Sequence, residues 1–94
     1  MASAEKGIRV PLGRTLATPG VLEVTTWAER NIAFIRHARG DWGDVSKEDW
    51  QANDRALQTG ERLLSVYHTR SGIKFWLITE ADRSATTILL PQEY

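Results

Sequence analysis

The chain has 94 residues, 41% of them apolar and 26% charged, and its twelve basic and twelve acidic side chains cancel. That length supports one hydrophobic core, neutrality removes the excess positive charge behind generic duplex-DNA or anionic-membrane binding, and the absence of cysteine excludes disulfides, thiolate metal sites and cysteine nucleophiles. No stretch approaches the roughly 20 apolar residues of a membrane span, and Met1 to Arg9 lacks the apolar stretch of a secretory signal, so a cytoplasmic protein is expected.

Met1 to Arg9 reads as flexible, its first seven residues being small and polar. Ile8 to Leu16 alternates loosely but carries Pro11 and Gly13, which confines it to an edge strand or an extended arm. Thr18-Pro19 is a helix start, a hydroxyl N-cap followed by proline at the first helical position, and Val21, Leu22 and Val24 supply a short apolar helix that Thr25 and Thr26 weaken. A second helix is predicted from Trp27 to Ala38, with Ala28, Ile32 and Ile35 as its apolar face, Phe34 beside them, and Arg30, Arg36 and Arg39 largely elsewhere. Gly40 stops it as a left-handed cap. After a tight loop at Asp41-Trp42-Gly43-Asp44, Ser46 caps a third helix, with Asp49 at the third helical position in a variant capping box. That helix runs to Thr59 and buries Trp50, Asn53, Ala56 and Leu57, and Gly60 ends it.

Leu63 to Thr69, Ile73 to Thr79 and Thr86 to Leu90 are rich in β-branched and aromatic residues and read as strands, with Ser71-Gly72 as the first hairpin turn. On the middle strand Ile73, Phe75 and Leu77 face one way and Lys74, Trp76 and Ile78 the other, so both faces of the sheet are apolar at their centres. The expected fold is a single α+β domain: two or three helices packed on a three- to four-stranded antiparallel sheet, the arm supplying the fourth strand.

Two segments concentrate polar chemistry. Arg36-His37-Ala38-Arg39-Gly40-Asp41-Trp42-Gly43-Asp44 could hold a small anion or nucleotide, with Trp42 stacking on a base. Cations in a last helical turn equally complement the helix dipole, and Trp42 could lid the core. Thr79-Glu80-Ala81-Asp82-Arg83-Ser84 could place Glu80 as a general base and Arg83 as a phosphate clamp, with His37 or His68 as acid, in a metal-independent ribonuclease. The same residues also make a hydrogen-bonded turn, Asp82 folding back on backbone N–H groups and Arg83 pairing with Glu80. Trp42, Trp50 and Trp76 serve equally as a contact patch or as core filler. His37 and His68 lie far apart in sequence without metal-ligand spacing, and Gly40 and Gly43 make no phosphate loop, so neither metal nor cofactor is expected.

Ala17-Thr18-Pro19-Gly20, Arg36-His37, Gly40-Asp41-Trp42-Gly43-Asp44, Asn53-Asp54, Arg62-Leu63-Leu64-Ser65, Trp76-Leu77-Ile78-Thr79-Glu80-Ala81-Asp82-Arg83-Ser84 and Thr86-Thr87-Ile88-Leu89-Leu90-Pro91 together resemble a family of small bacterial "plasmid-related" proteins. These are carried on plasmids, integrative elements and phages, and the resemblance spans Pro11 to Tyr94. It implies a setting among accessory functions for transfer, maintenance or evasion of host defence, and no activity. Helices followed by an antiparallel sheet also resemble, at the level of fold alone, compact ribonucleases of the barnase and RelE type.

The reading reached is a non-enzymatic protein-binding factor of a mobile element, with a host or element-encoded protein as partner. Arg36, His37, Asp41, Trp42, Asp44, Trp76, Asp82 and Arg83 are its candidate contact residues. The competing reading is a ribonuclease-like toxin using His37, Glu80 and Arg83, which requires those side chains to converge on one open cleft. Nucleic-acid regulation ranks last, because the second helix mixes Glu29 with its arginines. An exposed apolar sheet face or strand edge would add self-association.

Overall fold

A computed structural model describes residues 7–94; the flexible stretch expected at the N-terminus falls mostly outside them. Strand β1 (Arg14–Ala17) leads into helix α1 (Pro19–Val24), then α2 (Trp27–Ala38) and α3 (Lys47–Thr59). Strands β2 (Leu63–His68), β3 (Lys74–Thr79) and β4 (Ala85–Leu89) follow, and a 3-10 turn at Pro91–Glu93 ends the order. The α+β class is as expected. The sheet runs β1-β4-β3-β2, and it is mixed: β2, β3 and β4 are antiparallel neighbours, whereas β1 lies parallel to β4. The long connection from β1 to β4, through three helices and two strands, permits this parallel edge, which a hairpin could not form.

Most helix ends follow their sequence signals, but Thr18, at the N-cap position of α1, makes no hydroxyl cap and donates to Glu93 instead. Ser46 Oγ accepts from Asp49 N at 3.1 Å, and Gly40 takes the left-handed conformation, with φ 81°, just beyond α2. Thr26 caps α2 in a full capping box: its Oγ1 accepts from Glu29 N, and Glu29 Oε1 accepts from Thr26 N. Thr26 therefore starts the second helix rather than only fraying the first. Glu93 closes α1 from the far end of the chain, accepting from Thr18 Oγ1 at 2.5 Å, Gly20 N at 2.8 Å and Leu90 N at 3.0 Å.

All helical packing falls on one face of the sheet. Val21 and Ala33 cluster with Tyr67, Phe75, Leu77 and Ile88, while Ala56 joins Leu63, Val10 and Trp42. Because successive strand residues alternate between faces, Leu64, Val66, Trp76, Ile78, Thr87 and Leu89 point away from the helices. The arm reaches the same core: Val10 is buried, and Arg9 N and Val10 N both donate to Ala38 O.

The outer edge of β2 is occupied. Asn53, buried on α3, donates Nδ2–H to Leu64 O at 2.7 Å and accepts Leu64 N–H at its Oδ1 at 3.2 Å, so its amide stands in for a strand residue. One step along, Val66 N donates to Trp42 O and Val66 O accepts from Asp44 N. Gly43 makes this approach possible: it has φ 75°, and a Cβ there would run into the Val66 carbonyl. At the opposite edge, all four residues of β1 are exposed.

Candidate functional site

The expected apolar face of α2 points the wrong way. Ala28 is exposed, Ile32 is 57% exposed and Ile35 41%, while Ala33, His37 and Ala38 are buried and Phe34 and Arg30 half-buried. The sheet explains the inversion. Its helical face carries a polar lane of Ser65, Thr79 and Thr86, each fully buried, and the helix must offer that lane a polar partner. His37 is that partner, and small Ala33 and Ala38 let the helix come close enough to insert it.

The lane forms one continuous chain of hydrogen bonds. His37 Nδ1 lies 2.6 Å from Ser65 Oγ and Nε2 lies 2.7 Å from Thr79 Oγ1; Thr79 Oγ1 is 2.7 Å from Thr86 Oγ1, which donates to Leu12 O at 2.8 Å. The carbonyl end fixes the protons as far as Nε2. Thr86 uses its hydroxyl proton on Leu12 O, so it must accept from Thr79, and Thr79 must then accept from His37 Nε2–H. Burial keeps the imidazole neutral, so Nδ1 carries no proton and accepts from the Ser65 hydroxyl, and both nitrogens are satisfied. Burial, with the positive Arg83 guanidinium as a lesser cause, pushes its pKa down to about 4. Trp42 meets its ring edge-on, with centroids 5.5 Å apart.

The loop after α2 is closed on itself. Arg36 grips Asp41 through two hydrogen bonds, Nε to Oδ2 at 2.7 Å and Nη2 to Oδ1 at 3.3 Å, and this contact holds the Asp41 carboxyl below its usual range. Arg36 also lies over the Tyr67 ring, 4.6 Å from its centroid, and the Tyr67 hydroxyl donates to Asp41 O. Trp42 is fully buried and donates Nε1–H to Asp54 Oδ1 at 3.0 Å, so it is core rather than a stacking platform. Asp44 faces solvent, 3.8 Å from His68 Nδ1.

The β3–β4 turn binds the protein's own backbone. Asp82 Oδ1 accepts Ser84 N–H at 3.0 Å, the Asx turn the sequence implies. Arg83, at φ 63°, sends Nη2 to Ala56 O at 2.8 Å and Nη1 to Glu61 O at 2.7 Å, covering carbonyls at the end of α3. Longer contacts from Nη1 reach Glu80 O and Ala81 O, so Arg83 meets the backbone of Glu80 rather than its carboxylate. Glu80 itself is exposed. His37, Glu80 and Arg83 therefore do not meet at an open cleft: the imidazole is sealed, the guanidinium is committed and the carboxylate faces water.

Of the expected contact residues, Arg36 and Asp44 border an open polar hollow beside Tyr67 and His68, and Trp76 lies on a second, more apolar surface with room for another molecule. On the helix-free face a hollow of about 230 Å³ is lined by Arg62, Leu64, Trp76, Ile78 and Tyr94. Tyr94 stands edge-on to Trp76 at 5.9 Å between centroids, and Arg62 lies over the Tyr94 ring and bonds its hydroxyl. Leu16, 40% exposed and in register with Thr87, extends the apolar surface towards β1. Tyr94 and Arg62 escaped the sequence reading because nothing in their spacing ties a chain end to the middle of a sheet. The alternation along β3 was the signal that marked the face. Comparison of the chain with protein-family models, curated proteins and solved structures finds no match.

Proposed function

We propose that this protein is a non-enzymatic accessory factor of a mobile genetic element that works in the cytoplasm by binding a host or element-encoded protein through the helix-free face of its sheet. The observation that carries the reading is the hollow around Trp76: an apolar floor of Leu64 and Ile78, aromatic walls from Trp76 and Tyr94, and Arg62 at the rim. Such a surface suits a partner's apolar or aromatic side chain followed by a carboxylate, and tryptophan, tyrosine and arginine are the residue types on which binding energy concentrates. The mobile-element setting comes from the family resemblance. The enzymatic alternative has less to stand on, because the only buried imidazole described is consumed by Ser65 and Thr79.

The test is affinity capture from a native host with the wild-type chain, Trp76→Ala and Tyr94→Ser, each checked for folding by circular dichroism. A protein retained by the wild type and lost by both variants supports the reading. Recovery of the same proteins by all three sinks it. Incubation with RNA beside a Glu80→Ala control addresses the alternative: cleavage lost in the variant would replace this proposal with a ribonuclease.

A further inference from the structure

Among the described residues, nothing packs on the outward face of α2. Ala28, Ile32, Ile35 and Arg39 are all exposed and follow one another at spacings of four, three and four residues, which is the stripe a paired helix presents. Beside it lie Glu29, whose carboxylate accepts from Thr26 N and Arg70 N and keeps its negative charge, and Arg36, which is paired with Asp41, so Arg39 is the seam cation left to meet Glu29 of a copy. The negative side chain sits in the first turn of the helix and the positive ones at its end.

We infer that α2 packs against α2 of a second copy of this chain, antiparallel about a two-fold axis. The seam complements its own reverse. When Ile32 of one copy lies beside Ile35 of the other, Arg39 falls opposite Ala28 of the copy, whose small side chain leaves room for the arginine stem. The Arg39 guanidinium then reaches Glu29 of the copy, and the relation repeats on the other side of the axis. In a parallel pair Glu29 of one copy and the matching flank of the other lie on opposite sides of the seam, so this ion pairing would be lost. Antiparallel helices also oppose their macrodipoles favourably, and a chain of zero net charge has no long-range repulsion against its copy. Twelve residues make a helix of about 18 Å. A seam so short buries less than the roughly 1,600 Å² of a standard interface, so the dimer should be weak and dependent on concentration.

This interface is separate from the Trp76 hollow, so the two proposals fail independently. Sedimentation equilibrium from about 5 to 500 μM spans the range of a weak dimer. The wild type should shift from monomer to dimer across it. Ile32→Glu, and independently Ile35→Lys, should stay monomeric, since each would bury unpaired charges at the seam and weaken association by about a hundredfold. Arg39→Glu should weaken it by about tenfold by facing Glu29 with a like charge. Trp76→Ala should dimerise as the wild type does. Unchanged circular dichroism spectra keep the variants comparable. A monomer at the highest concentration, a dimer that survives Ile32→Glu, indifference to Arg39→Glu, or loss of the dimer in Trp76→Ala would each overturn the inference.

Discussion

The buried imidazole makes stability depend on pH in a window largely above that of the displaced carboxylates. His37 has a folded-state pKa of about 4 against 6.5 when free, so below pH 6.5 the unfolded chain takes up a proton that the folded chain refuses. Stability is therefore complete above pH 6.5 and falls with pH until the folded group also protonates near pH 4. Between pH 7 and pH 5 the difference in proton uptake integrates to about 2 kcal/mol. Asp41, held down chiefly by Arg36, Asp82, chiefly by Ser84, Glu29, chiefly by the Arg70 N–H, and Glu93, chiefly by Thr18, lose most of their contributions as pH falls through the carboxylate range, below pH 5. Urea titrations at pH 7, 6 and 5 on a His68→Gln background, which removes the other imidazole, isolate the effect. With a slope of about 1 kcal/mol per molar urea for so small a chain, the midpoint should drop by about 2 M from pH 7 to pH 5. Adding His37→Gln should flatten that dependence while lowering stability at every pH. A midpoint that stays level between pH 7 and pH 5 with His37 intact would refute the buried, neutral imidazole.

Nitrogen NMR should find His37 as the Nε2–H tautomer at pH 7, because the Leu12 carbonyl sets the direction of the whole hydroxyl chain; an Nδ1–H form would contradict it. Asn53→Ala should cost about 2 kcal/mol in urea unfolding, since it strips the donor and the acceptor from Leu64 together. Trp42→Ala should cost about 3–5 kcal/mol as a core truncation, whereas Glu80→Ala, on the surface, should stay within about 0.5 kcal/mol of the wild type by the same measurement.

The elements were legible because their ends are written locally. Pro19, Ser46 with Asp49, and Gly40 act through neighbours one to four residues away, and the alternation along β3 separates its two faces, whereas the Thr18 hydroxyl is taken by Glu93 from far along the chain. What failed needed long-range knowledge. Periodicity found an apolar stripe on α2 but not which stripe the sheet would choose, since the choice depends on Ser65, Thr79 and Thr86 lying side by side on three strands. Trp42 was weighed as a contact residue for the same reason: its pocket is assembled from Val10, Ala56 and Leu63, remote in sequence. The Thr26–Glu29 capping box is written locally as Thr-x-x-Glu, although the poor helix propensity of paired threonines masks it as the weak end of the preceding helix. The turn at Asp82 was read correctly as self-satisfying. Its arginine was not, because the carbonyls it covers belong to a helix more than twenty residues away.

Among the described residues, the Asn53 amide and the Trp42–Asp44 backbone leave the sheet with a single free border, on the β1 side. A growing fibril needs two such borders per subunit, one to receive a neighbour and one to pass the addition on. If crowded or stressed chains join through their strands, each can therefore accept one other and then stops, so that route ends in a pair and cannot lengthen into a filament.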